Sequence, residues 1–363
     1  MCQIAEAWSN NAMDKCFYFW KKDFGEFLAR LKSMGLVYAP VRVSEQSYAF
    51  KAVSNEAQIA FEALRTILPP KKFFFTGNET ILDCDGEDIK EHVEVIEPFT
   101  VFGVHPCDLA GLSALDKVFL SVPVDSHYHR RRRAAFIIGL SCLPDKHCFC
   151  KAMNTDAPGK GYDLFLTDLK DKYFVQVNNQ DALDFILSCN LFVYPAKADD
   201  ESNYKKFWYD RDAMFEHNFD SAQLPNLMEL GWNDPVWEEL GKRCLSCGNC
   251  TPVCPTCYCF DMTDVAMFNT AKIDAQRERV WDSCQFSGFA VVAGGENFRP
   301  GPVDRLKFWY RHKLHGFEDP IEIPSCVGCG RCTVSCPSQI DDLPEVIRIL
   351  SGRPKLNIEC QER

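Results

Sequence analysis

The sequence predicts two unlike halves. One is an α/β amino-terminal domain with a mainly parallel sheet. The other is a mostly helical α+β domain rich in cysteine. Three observations predict this. Short, continuous apolar runs such as F-T-V-F-G-V (99–104) and A-A-F-I-I-G-L (134–140) alternate with helical patterns across residues 1–195, as strands buried on both faces do. Residues 196–236 are polar, charged and irregular in pattern, and read as a connection. Two cysteine runs of one spacing then fall within 237–352, leaving 353–363 as a tail.

The elements follow in order. Residues 1–22 are rich in aromatics and include Cys2 and Cys16, with no motif. A helix is expected over Asp23–Met34, where Phe27, Leu28 and Leu31 share a face and Gly35 ends it. The strands L-V-Y-A-P-V (36–41) and S-Y-A-F-K-A-V (47–53) come next, then a helix near Glu56–Ile67, stopped by Pro69 and Pro70. F-F-F-T (73–76) reads as a buried strand. Phe99–Val104 is a strand, followed by a helix from about Asp108 to Phe119, and Ala134–Leu140 is a further strand. The amphipathic strands D-L-F-L-T-D-L (163–169) and Y-F-V-Q-V (173–177) and a helix over Gln180–Cys189 complete the domain.

The second domain starts near Trp237. Between its cysteine runs a helix is expected from about Met262 to Val280. After it come W-D-S-C (281–284), A-G-G-E-N-F-R-P (293–300) and a basic helix, D-R-L-K-F-W-Y-R-H-K-L (304–314). The glycines read as tight-turn chemistry. A phosphate-binding role for A-G-G lacks the G-x-G-x-x-G context.

Composition bounds the function. With 46% hydrophobic and 25% charged residues over 363, the chain is an ordinary globular protein of two or three domains. The start of the chain, Met1–Asn11, is too polar for a signal peptide, and no apolar run approaches the ~18 residues of a membrane span. A net charge of −11 argues against nucleic acid as a partner. The one basic block, H-Y-H-R-R-R-R (127–133), reads either as a solvated loop or as a patch for an acidic partner or anionic group. Twenty cysteines without a secretory signal imply thiolates reserved for metal in a reducing, cytoplasmic compartment.

The cysteine runs carry the chemistry. C-L-S-C-G-N-C-T-P-V-C-P (244–255) and C-V-G-C-G-R-C-T-V-S-C-P (326–337) are both C-x2-C-x2-C-x3-C-P, the ligand spacing of two-cluster ferredoxins. There three thiolates of one run hold a 4Fe–4S cubane and the fourth reaches across to the other. One cluster then takes Cys244, Cys247, Cys250 and Cys336, and the other takes Cys326, Cys329, Cys332 and Cys254. Gly248, Gly328 and Gly330 relieve crowding and free backbone N–H groups to face sulfur. Structural zinc or disulfides are poor alternatives, since neither asks for a third cysteine and a C-x3-C-P repeated in duplicate. The second domain is therefore expected to be a two-cluster ferredoxin-like domain.

A further set lies in the first domain. Cys107 follows the strand 99–104, and Cys142, Cys148 and Cys150 follow the strand 134–140. If these strands are neighbours, their carboxyl ends bring the four thiols to one crevice, where α/β sheets place ligands. A third 4Fe–4S cluster, a zinc ion and metal-free buried cysteines all fit these residues. Cys257, Cys259 and Cys284 suit packing or S–H contacts near a cluster. Cys84, Cys189 and Cys360 have no assigned role. No Ser-His-Asp context, Walker loop, Rossmann fingerprint or paired-histidine metal spacing is present, so no catalytic residue is assigned.

Several stretches together resemble a known family: G-V-H-P-C-D-L, C-F-C-K-A-M-N-T, C-L-S-C-G-N-C-T-P-V-C-P-T-C-Y-C-F, R-E-R-V-W-D-S-C, A-G-G-E-N-F-R-P, R-H-K-L and C-V-G-C-G-R-C. They are similar to the iron–sulfur beta subunits of cytosolic sulfhydrogenases and to the A subunit of anaerobic sulfite reductase, over about residues 30–350. Relatives beside flavin oxidoreductases linked to heterodisulfide reductase belong to the same family. The resemblance implies a non-catalytic electron-transfer subunit. It would work between a ferredoxin-reductase-type flavoprotein subunit, which carries FAD and NAD(P)H, and a terminal reductase or hydrogenase subunit. Where relatives read M-G-T-G, this chain has Met153-Asn154-Thr155-Asp156. The competing readings are a catalytic reductase with a substrate-binding cluster in the first domain, and a zinc scaffold.

Overall fold

The computed structural model describes residues 16–85, 88–269, 272–316, 325–340 and 342–352. Cys2, Cys360 and the expected tail 353–363 lie outside them.

In chain order the elements are β1 Cys16–Trp20, α1 Phe24–Lys32, β2 Leu36–Ser44, β3 Ser47–Ala52, β4 Asn78–Asp85, β5 Asp88–Glu91, β6 Phe99–Val104, α2 Pro106–Phe119, α3 Ser126–Ala134 and β7 Ala135–Leu140. They continue with β8 Leu164–Asp168, β9 Lys172–Val177, α4 Gln180–Ser188, β10 Tyr194–Pro195, α5 Ala198–Asp212, α6 Leu224–Leu230 and α7 Val236–Arg243. Last come β11 Phe260–Asn269, β12 Lys272–Trp281, α8 Pro302–Leu314, α9 Arg331–Ser335 and α10 Leu343–Leu350.

Eight strands form the main sheet, in the order β10-β1-β9-β8-β7-β6-β2-β3. It is mixed rather than mainly parallel. The four central strands β8, β7, β6 and β2 run parallel, and antiparallel pairs flank them on both sides. The fold expectation is corrected there: β9 and β3 return by short turns, which reverse strand direction, instead of by helical crossovers. Alternation within each strand sends side chains to two cores. Ile138 and Leu140 pack with α1 and α4, whereas Ile137 packs with α2 and α3. Likewise Tyr173 and Val175 point to the first core and Phe174 to the second. With both faces covered, the strands read as continuous apolar runs.

A second sheet, β11-β12-β4-β5, joins strands from both sides of residue 236. Here the expected helix 262–280 is overturned. Met262 pairs with Arg279, Asp264 with Arg277, and β12 adds to β4 through Val280 and Asn78. The helix-prone letters A-Q-R-E-R lose to the unsatisfied edge of β4, an instance of tertiary pairing overriding propensity.

Four other expectations change. The segment 56–67 forms only a 3-10 turn at Glu56–Gln58. Beyond it the backbone hydrogen-bonds to the neighbouring hairpin, Ala60 N to Pro40 O (2.8 Å) and Ile67 N to Tyr48 O (2.8 Å). Phe73–Thr76 is no strand. Pro70 begins a 3-10 turn over Pro70–Phe73, and Phe74 and Phe75 fill the second core. The connection 195–235 contains α5, whose Tyr204, Trp208 and Arg211 are buried. The basic block is neither a solvated loop nor a free patch. It is α3, capped by Asp125, with Arg131 paired to Glu79 and Arg132 to Asp116.

The cysteine-rich end has its own core, built by Trp237 and Leu240 of α7, Leu306, Trp309 and Tyr310 of α8, and Leu343, Val346 and Ile347 of α10. It is docked on the main sheet through α2. A Cβ on Gly111 of α2 would stand 2.7 Å from the Pro255 side chain, so the proline closing the first cysteine run lies directly on that helix. No helix among the described residues is long and apolar enough to cross a membrane.

Candidate metal centres

Two small cavities lie at this end. Cys244, Cys247, Cys250 and Cys336 line the first. Cys254, Cys326, Cys329 and Cys332 line the second. Each cavity thus gathers three cysteines of one run and the fourth of the other. Local backbone repeats with the sequence. Ser246 (φ +49°) and Gly328 (φ +64°) occupy matching positions in the left-handed region, as do Gly248 (+77°) and Gly330 (+70°). Those conformations turn the N–H of Ser246 onto Cys244 Sγ and that of Gly328 onto Cys326 Sγ, both at 3.4 Å. N–H donors aimed at sulfur favour the thiolate form and suit an anionic metal–sulfur group.

The donor sets fit 4Fe–4S clusters. Four thiols are soft ligands, the walls are otherwise mostly apolar, and Trp309, in the wall of the second cavity, has a buried indole N–H without a partner. Among the described residues no three Cys, His, Asp or Glu side chains converge closely enough for a single metal ion, as a tetrahedral zinc site would require. The two cavities differ in exposure: Cys247 of the first is exposed, whereas Cys329 of the second is buried and its Cys254, Cys326 and Cys332 are half-buried.

The amino-terminal cysteines come together next to the second cavity. Strands β6 and β7 are parallel neighbours, so His105-Pro106-Cys107 and Ser141-Cys142 leave the same sheet edge. His105 ties that edge, with Nδ1 2.9 Å from Leu140 O and Nε2 2.9 Å from Ala63 O. Cys142 and Cys148 both act electrostatically on Cys150, and Cys107 on its side feels Cys150 and Cys329. Burial pushes all four thiols up, Cys148 to about 12, so each needs a cation or a metal to hold its thiolate. The segment 147–150 lies flat against the second cysteine loop. Phe149 N donates to Gly328 O (2.9 Å), and a Cβ on Gly328 would stand 2.5 Å from Cys150 N. Asn154 takes φ +56° without being glycine, and Thr155 Oγ1 donates to Val327 O (2.7 Å).

The family model for the 4Fe–4S dicluster domain matches residues 243–340. The chain is also 38% identical, over 91% of its length and 96% of the relative's, to sulfhydrogenase 2 subunit beta of Pyrococcus furiosus. The chain belongs to the sulfhydrogenase beta-subunit family. No solved structure matches it.

In this family member the cations around the thiols carry no spacing signal, and the sequence gives no means of finding them. Arg65, from the irregular segment after β3, forms a bidentate pair with Asp145 (2.6 Å twice). It also donates to Cys329 O (2.6 Å) and Cys148 Sγ (3.0 Å). Burial works against the Asp145 carboxylate, but the guanidinium outweighs it and holds the group well below the usual range. Arg211 of α5 donates to Cys142 O (2.7 Å) and approaches Cys142 Sγ (3.8 Å), with Asp156 as its counter-charge (3.3 Å). Lys313 of α8 lines the second cavity and donates to Thr256 Oγ1 (3.0 Å). Cys257, Cys259 and Cys284 form a separate group, with Cys259 hydrogen-bonded to both of the others. Lys71 beside them donates to Cys257 O (2.9 Å), over the face of Trp281.

Proposed function

We propose that this chain is the iron–sulfur electron-transfer subunit of a cytosolic multisubunit oxidoreductase. It would work between a flavoprotein subunit carrying FAD and NAD(P)H and a terminal reductase or hydrogenase subunit. The observation that carries the reading is the crossed gathering of eight cysteines around two cavities with repeated loop geometry. Cys244, Cys247, Cys250 and Cys336 would hold one 4Fe–4S centre, and Cys254, Cys326, Cys329 and Cys332 the other. Such centres, when bound, supply one-electron uptake and release at a potential set by their surroundings. The chain's own residues fix those surroundings. Backbone N–H groups of Ser246 and Gly328 face sulfur, Trp309, Leu306 and Ile340 keep the walls apolar, and the exposed Cys247 gives the first centre an open edge for a partner.

Cys107, Cys142, Cys148 and Cys150 would hold a third centre. Four thiols are at hand, and with all four bound no ligand position would be left for a substrate. That favours relay over catalysis at this site. Arg65 then serves both the second and third centres, bonding the backbone of one and a thiol of the other.

The test is anaerobic purification of the native complex with metals, flavin and heme measured together. Flavin alongside nickel or siroheme in companion subunits is the expected result. A pure chain that reduces a substrate unaided would overturn the relay reading.

A further inference from the structure

The two cysteine loops repeat each other in sequence and backbone, but the walls of their cavities do not carry the same charge. The first cavity is lined by Leu245, Asn249, Gln285, Leu306, Ser338 and Ile340 besides its cysteines, glycine and proline, and among the described residues no charged side chain lines it. Arg305 approaches that loop from behind, donating to Ser246 Oγ (3.1 Å) and to the carbonyls of Arg299 and Pro300, and does not line the cavity. Among the described residues the second cavity has one charged residue in its wall, Lys313.

Lys313 is 2% exposed. A buried ammonium without a counter-ion is costly, because its hydration is lost and nothing replaces it. Of the other buried cations here, Arg331 has Asp108, Arg65 has Asp145 and Arg211 has Asp156, whereas Lys71 bonds the carbonyls of Thr251 and Cys257 and lies outside the cavity wall. Among the described residues Lys313 makes no ion pair with a carboxylate. Its donor goes to Thr256 Oγ1, which in turn lies 3.2 Å from Cys254 Sγ. The sulfur groups that act on it are those of Cys254, Cys257 and Cys326, of which Cys254 and Cys326 line the same cavity. The charge is therefore matched to whatever negative charge these sulfurs hold.

We propose that Lys313 orders the two centres. Its ammonium makes the one held by Cys254, Cys326, Cys329 and Cys332 the more easily reduced, so that the first centre, with the exposed Cys247, is the low-potential port. This rests on the reading of both cavities as 4Fe–4S sites. One electron is taken up with no bond made or broken, and Lys313 keeps its proton. The fixed positive charge stabilises the added negative charge by Coulomb attraction in a poorly screened interior, and the first cavity has no such charge in its wall. Lys313 is thus a positioning charge, not a catalytic residue.

The experiment is an anaerobic redox titration of the full iron-loaded chain with dithionite, followed by electron paramagnetic resonance. It compares the wild type with Lys313→Met, Lys313→Arg and Cys247→Asp, with iron and sulfide measured in each. In Lys313→Met the reduced-to-oxidised ratio of the upper wave, read at the wild-type midpoint, is expected to fall about tenfold, which is about 59 mV for a one-electron couple. The lower wave should stay in place, and Lys313→Arg should restore the upper one. Cys247→Asp should alter or abolish the lower wave only. Waves unmoved in Lys313→Met, or both moved together, overturn the proposal. So does an upper wave that responds to Cys247→Asp, and this arm decides the matter even if Lys313→Met fails to hold iron. Iron present with the order reversed sinks this inference alone. Absence of iron and sulfide from the wild type sinks the electron-transfer reading and this inference with it.

Discussion

Arg331 and Asp108 close a bidentate ion pair, Nη1 to Oδ1 at 2.6 Å and Nη2 to Oδ2 at 2.8 Å, with both side chains almost wholly buried. Arg331 stands between Cys329 and Cys332 in the second cysteine loop, and Asp108 follows Cys107 on the first turn of α2. One salt bridge thus fixes the second candidate centre to the sheet edge that carries the third. Arg331 Nε adds a bond to Thr66 O (3.2 Å), beside Arg65. The carboxyl-terminal loop and the amino-terminal sheet are coupled by this pair at the place where their cysteines meet.

Removing one partner of a buried pair leaves the other charge without compensation. Asp108→Ala is therefore expected to cost about 3–5 kcal/mol, whereas the apolar double variant Asp108→Leu/Arg331→Met should recover much of that loss. Anaerobic denaturant unfolding of the three proteins checks it. Equal stability of Asp108→Ala and wild type would mean that the pair does not hold the two parts together.

Gly328 does two jobs at once. Its φ of +64° turns its N–H onto Cys326 Sγ, and the missing Cβ lets the backbone of Cys150 and Phe149 approach to 2.5 Å of where that atom would be. Gly328→Ala combines left-handed strain with a backbone clash and should destabilise by about 2–5 kcal/mol. Gly288 has open space at its Cβ position and an ordinary φ, so Gly288→Ala should stay within about 0.5 kcal/mol of wild type. The pair of melting curves separates local strain from a general intolerance of substitution.

Cys148 tests the third centre. Its thiol is pushed up to about 12, by burial first, and Arg65 opposes that shift. If a cluster is held there, the reconstituted wild-type chain should carry about twelve iron atoms and Cys148→Ser about eight. A wild-type value near eight that Cys148→Ser leaves unchanged would remove the third centre and leave Arg65 and Arg211 as structural cations alone.

The sequence made the cysteine chemistry legible because ligand spacing is local. C-x2-C-x2-C-x3-C-P states on its face which sulfurs can converge, and the placing of Cys107 and Cys142 after neighbouring strands could be reasoned from β6 and β7 alone. The charges were not legible. Arg65 and Arg211 sit far along the chain from Cys148 and Cys142, which they approach, and no spacing marks Asp145 or Lys313 as partners of this site. The same applies to α3: R-R-R-R looks like a surface patch until Glu79 of β4 and Asp116 of α2 are seen to receive it. The hairpin β11–β12 failed for a related reason. Its partner β4 lies nearly 200 residues away, as with Asn78 and Val280, and an alternating pattern of mixed polarity does not announce such a partner.

His312 gives the fold a predictable acid sensitivity. It lies on α8 next to Lys313, with its ring edge-on to Tyr258 (5.7 Å) and stacked on Phe308 (6.4 Å). Burial first, then the positive charge of Lys313, pushes its pKa down to about 3. In the unfolded chain the same imidazole titrates near 6.5. Between these values the unfolded state binds a proton that the native state refuses, so stability falls as pH falls, by up to about 1.4 kcal/mol per unit below ~6.5. Above pH 7 neither state is protonated and the contribution is flat. His312→Phe keeps the ring contacts without the titration. Its stability difference from wild type, measured by anaerobic unfolding at pH 7.5, 6.5 and 5.5, should therefore shift in favour of the variant as pH drops. A difference constant across that range would mean that the imidazole is protonated in the fold, and that Lys313 and the packing of Tyr258 and Phe308 do not exclude a positive charge beside Lys313.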